Sequence, residues 1–200
     1  RRSRGLGDVY KRQVFLRVAD QVTITVEGTF NAGYSTISSM GDGARWGGLV
    51  IGDGAETTAR IIGTSMVEGA PLVSIVGQSD TVLSHAYLAR SSSAEPLLRS
   101  TNSAQMAQLS IISTTFTDSA SHCIELQGSI EINVEDLETN NCQSDALWAL
   151  GSYISIDGMV TQDPVRLSGV EGEVNDLEGT EVSVDNVDGC LLYTSDAADE

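Results

Sequence analysis

Four residues recur two positions before a repeated strand motif: Glu95, His122, Asp145 and Asp163. Their types suit two kinds of chemistry. Adjacent carboxylates attract a hard cation such as calcium, with His122 as a further ligand. They also push one another's pKa apart, which general acid–base work requires. Glu95, Asp145 and Asp163 are therefore the candidate catalytic residues, and the same three with His122 are the candidate metal ligands. Stacked in a column as in paired strands, neighbours would lie roughly 5 Å apart. Asp145 and Asp163 would then match the short carboxylate separation of a retaining glycosidase. The plainer reading is a row of solvated turns in an acidic chain. Trp148 lies between Leu147 and Ala149, both read as inward, so its ring faces out beside Glu125 and Arg166 of the neighbouring repeats. That makes it a candidate sugar-stacking platform, or else a ring packed beneath a loop.

Other reactive types form no set. His85 falls in a strand and His122 in a turn, each read as a satisfied polar residue. No Ser-His-Asp or Cys-His arrangement follows from spacing. Cys123 and Cys142 sit in adjacent repeats at different offsets, so a disulfide between them needs favourable loop geometry. Gly41-Asp-Gly43 and Gly52-Asp-Gly54 lack the nonapeptide pattern of calcium-binding rolls and read as turns.

The element that must position these residues is a repeat. Ile124–Gly128, Leu147–Gly151 and Val165–Gly169 are each a short alternating run closed by glycine four residues after its first apolar residue. Strand starts at Leu49, Leu72, Leu97, Ile124, Leu147 and Val165 give coils of about 18–27 residues, a solenoid period. Pro71, Pro96 and Pro164 precede three of these starts, where the missing N–H is harmless. Second strands follow at Ala59–Ile62, Val82–Tyr87, Gln108–Ile112, Ile130–Val134 and Tyr153–Asp157, and shorter third ones near Leu88, Phe116, Leu137 and Val160. No sustained 3.6-residue apolar period calls for a long helix. Ile124, Leu126, Ile130, Ile132 and Val134 are expected to stack inward. In the coils at Leu72 and Leu97 the columns can slip by one, putting Val73 and Ile75 inward.

Three short strands per coil with small polar turns resembles the right-handed parallel β-helix of the pectin-lyase-like superfamily, over about Leu49–Gly172. The resemblance implies an all-β solenoid of about six coils, with 14–48 as strands leading into it and 49–189 as the coils. A leucine-rich repeat would need a recurring Asn or Cys after Leu-x-x-Leu-x-Leu. A β-sandwich would need hairpin turns between neighbouring strands. The family's polygalacturonase-like motifs (Asn-Thr-Asp, Asp-Asp, Gly-His-Gly, Arg-Ile-Lys) are missing. Arg99 and Arg166 are available for a pectate-lyase-like role but sit in no matching motif. The resemblance thus implies a secreted or cell-surface stalk, adhesin or carbohydrate-contacting module. The alternative is a polysaccharide lyase or glycoside hydrolase.

Both ends differ in kind. Asp8–Gln13 can be encoded by GAT GTG TAT AAG AGA CAG. The reverse complement of that stretch, read one base out of frame, gives Cys-Leu-Leu-Tyr-Thr-Ser, which is Cys190–Ser195. Residues 1–13 and 190–200 thus resemble translated sequencing-adapter tails on a fragment open at both ends. The 200 residues carry 11 basic and 28 acidic groups; without the tails these become 6 and 24, a net charge of −18 with no lysine. Such a surface disfavours nucleic acid and anionic lipid and suits a secreted protein, a cation-rich medium or a saline habitat; for an extracellular or cell-surface chain the expected partner is polysaccharide or another surface protein. No apolar run is long enough for a transmembrane helix.

Overall fold

The computed structural model describes residues 14–52, 57–91, 94–178, 181–185 and 188–191, excepting the side chains of 102–106, 129 and 188–191. Alternating apolar and polar residues with frequent glycine leave the chain no helix among the described residues; it is all β. The strands are β1 (Val14–Val18), β2 (Ile24–Val26), β3 (Thr29–Gly33), β4 (Ser35–Ser39), β5 (Leu49–Ile51), β6 (Thr58–Ile62), β7 (Ser65–Val67), β8 (Val73–Ile75), β9 (Asp80–Ser84), β10 (Tyr87–Ala89), β11 (Leu98–Ser119), β12 (Ile124–Cys142), β13 (Leu147–Leu150), β14 (Tyr153–Thr161), β15 (Val165–Ser168), β16 (Glu171–Glu178), β17 (Val182–Asp185) and β18 (Asp188–Leu191). Residues 1–13, 192–200 and Asp53-Gly54 lie outside the described residues, as do most of the stretches read as adapter tails. Cys190 and Leu191, though, belong to β18 and pair with Glu173 and Val174.

Every pairing between these strands is parallel, and each strand pairs with the segment about one repeat away. A first ladder aligns Ile24, Leu49, Val73, Leu98, Ile124, Leu147, Val165 and Val182. A second runs through β3, β6, β9 and the middle of β11 and β12 to β14, β16 and β18. A third joins β1, β4, β7 and β10 to the last parts of β11, β12 and β14. The first ladder therefore extends one strand beyond the expected six starts at each end, and the pairing reaches back to Val14.

Two starts shift by one. Val73 and Leu98, not Leu72 and Leu97, are the register partners of Leu49 and Ile124. All four of these doublet residues are fully buried. Leu72 and Leu97 fill the corner before the strand and the next residue points into the core. Pro71 and Pro96 consequently stand two residues before their strands, and only Pro164 directly adjoins its own.

The turns have a common cause. Gly128, Gly151 and Gly169, the glycines that close the sequence motif, all have positive φ, a conformation costly for residues with a Cβ. Between the second and third ladders another column has positive φ at every repeat: Tyr34, Gly63, His85, Ser113, Asp136, Gly158 and Asp176. One left-handed residue per corner turns the strand without ending its pairing, so β11 and β12 run on as long, bent strands. Between the ladders lies one apolar core, in which Ile124, Leu126, Ile130, Ile132 and Val134 are each at most 1% exposed. Removing each such side chain from water contributes about 1.5–3 kcal/mol.

Candidate functional site

On the first ladder the pleat sends Leu147 and Ala149 into the core and leaves Trp148 half-buried on the outer face. Register then lines up Arg99, Glu125, Trp148 and Arg166 across four successive strands. Trp148 thus has the charged column neighbours Glu125 and Arg166.

Two corners hold this face from one side. Segment 119–123 and segment 142–146 are zipped together by Gln143 N–H to Ser119 O (3.1 Å), Ser144 N–H to Ser121 O (3.2 Å) and Cys123 N–H to Asp145 O (2.9 Å). Cys123 and Cys142 join them covalently, with Cα atoms 5.4 Å apart; the different offsets are absorbed because Cys142 ends β12 while Cys123 precedes it. Ser119 Oγ further donates to His122 O at 2.6 Å.

The site residues fall into three groups. Asp145 is only 5% exposed, and a buried carboxylate needs partners. His122 Nδ1 lies 3.0 Å from its Oδ2, and Arg166 Nη2 lies 3.5 Å from its Oδ1. The Asp145 N–H is also 3.3 Å from Nδ1, but one nitrogen cannot both donate and accept. The shorter carboxylate contact requires a proton on Nδ1, so donation to Oδ2 is the assignment that avoids opposed lone pairs. The imidazole stacks on Trp148, with centroids 5.3 Å apart and planes 24° apart. In the second group Arg99 is gripped by Glu125 (Nε to Oε2, 3.0 Å) and by Glu95 (Nη1 to Oε2, 2.6 Å), while Gln127 donates to Glu125 Oε1 at 2.9 Å. In the third, Asp163 Oδ2 accepts the Cys142 N–H at 2.8 Å and the Asp163 N–H donates to Thr161 Oγ1 at 3.0 Å.

Glu95, His122, Asp145 and Asp163 are accordingly not one column. His122, Asp145 and Asp163 keep the offset of two, whereas Glu95 lies three residues before Leu98, the slip seen in the register, and Pro96 takes its place. Asp145 and Asp163 are held by different partners. Among the described residues no group of three or more His, Cys, Asp and Glu is placed to hold a metal ion, and no helix is long and apolar enough to cross a membrane. Sequence reasoning made His122 and Asp145 neighbours in one column but did not anticipate their direct contact, nor the disulfide's place at the site. The signal available was adjacency, since His122 directly precedes Cys123.

Concavities lie elsewhere. One of about 310 Å³ is lined by Asp136, Glu138, Gly158, Met159, Asp176 and Glu178 among others. Another, of about 470 Å³, is lined by Asp20, Gln21, Arg45 and Trp46 among others. Neither is lined by a candidate residue. Away from Trp148, the hydrogen bond to Asp80 raises the pKa of Arg60 above its usual value, opposed by burial and aided by the charge of Asp80. No family model and no curated protein matches the chain.

Proposed function

We propose that the chain is a segment of a secreted or cell-surface right-handed parallel β-helix, serving as a stalk or adhesin module that contacts carbohydrate through Trp148. The observation that carries this is the indole itself. It stands on a paired strand face, steadied from one side by His122 on a buried carboxylate, with charged groups in its register column. An aromatic ring so held offers a flat apolar face for a pyranose and polar groups for its hydroxyls. The parallel ladders support the solenoid, and the buried disulfide supports an oxidising compartment.

The test is binding of the whole chain to a panel of soluble neutral and acidic polysaccharides, compared with Trp148→Ala. About tenfold weaker binding of the variant to whichever glycan the chain retains is expected. Equal retention of both proteins would sink the reading. The alternative, a polysaccharide lyase or glycoside hydrolase, draws its support from the paired Asp145 and His122 beside the ring. It predicts new reducing ends from one of the same polysaccharides, lost in Asp145→Asn; with no new ends it fails.

A further inference from the structure

The Cys123–Cys142 disulfide joins the residue before β12 to the residue that ends it, so residues 123–142 form a covalently closed ring. Both ends of that ring adjoin the platform. His122 directly precedes Cys123, Asp145 follows Cys142 by three residues, and the Cys142 N–H holds Asp163. The two cysteines are 0% and 6% exposed, beneath the corner rather than on it.

The geometry points to the disulfide as the positioning element of the platform. It fixes the two corners against each other so that His122 stays between the Asp145 carboxylate and the Trp148 indole. Besides the disulfide, the Ser119–Cys142 ladder pair, the backbone hydrogen bonds of the zipped corners and the His122–Asp145 contact oppose the separation of segments 119–123 and 142–146. A preorganised ring then binds a sugar without first losing its own freedom. The purpose of this arrangement rests on the carbohydrate reading above; the arrangement itself does not. Opening it is a two-electron reduction by a dithiol. Each cystine sulfur gains one electron and one proton to become a thiol, and the dithiol closes to its own disulfide.

Indole emission reports the stack. In a Cys190→Ser background, which removes the third thiol, the Trp148 signal is isolated by subtracting the spectrum of Trp148→Phe. An imidazole stacked on the indole changes its emission, so the oxidised protein should differ in emission from a chain that lacks the stack. The charged groups facing the stack are Asp145, Arg166 beyond it, and Glu125 beside the indole. His122→Ala, with the disulfide intact, gives the unstacked limit.

Reduction with dithiothreitol, and separately Cys123→Ser with Cys142→Ser, should bring emission to that limit. Amide protection in β6 and β9 should be unchanged. An emission profile indifferent to reduction overturns the inference, and so does loss of protection throughout β6 and β9, which would make the disulfide a support of the whole ladder. A chain that binds no polysaccharide but whose emission follows its redox state sinks the carbohydrate reading alone. One that binds equally well in both states with unchanged emission sinks the positioning role alone.

Discussion

The chain's two tryptophans occupy opposite kinds of place. Trp46 lies in the segment before β5, is fully buried, and donates from Nε1 to Val67 O at 2.9 Å. Its own N–H and C=O bond to Glu68 O and the Ala70 N–H. A Cβ on the neighbouring Gly69 would lie 3.2 Å from Nε1 and 2.7 Å from Leu72 Cδ2, so the chain leaves a glycine where the indole packs. Trp148 lies within a strand, on the outward pleat, and its face meets an imidazole. Identical side chains thus close a corner in one repeat and are displayed in another. What separates them is position relative to the pleat and whether a small residue makes room.

That contrast can be broken at several levels. Trp46→Ala removes a buried ring and its hydrogen bond, so a loss of about 3–5 kcal/mol is expected from urea unfolding; a loss near that of Trp148→Ala would erase the distinction. Gly69→Ala overpacks the Trp46 corner and should cost about 1–3 kcal/mol, with increased amide exchange in β5 and β8 as the local readout. Trp148→Ala gives up a stack and a half-buried surface, for about 1 kcal/mol, while circular dichroism stays that of the parent. Smallest of all is Asp80→Asn. Arg60 and Asp80 are 35% and 46% exposed, and such a pair contributes less than about 1 kcal/mol. A midpoint shift as large as that of Gly69→Ala would show that the outer ion pairs hold the ladder.

The contrast also shows where sequence was a sufficient guide. Trp148 was legible because Leu147 and Ala149 flank it with clean alternation. Trp46 was not, because Ala44-Arg-Trp-Gly47 has no period to assign it a face. The register slipped at Leu72-Val73 and Leu97-Leu98 for a related reason. Two adjacent apolar residues satisfy either pleat, and both are buried, one in the corner and one in the strand. The closing glycines of the three strongest repeats were visible because positive φ favours one residue type. The second corner column was hidden, since Tyr34, His85, Ser113 and Asp136 adopt the same conformation without sharing a type. At the site, the sequence placed Asp145 and His122 in adjacent turns. Their contact depends on how two corners zip together, which no local pattern encodes.

The closed ring of residues 123–142 also has a mechanical meaning. A chain pulled from its two ends gives up length as each repeat peels away, but residues inside a disulfide loop carry no tension. With a sequence separation of 19 and about 3.4 Å per extended residue, roughly 60 Å of contour stays hidden. Force would pass directly from Cys123 to Cys142, so this repeat would behave as a knot-like stop in an otherwise unravelling spring.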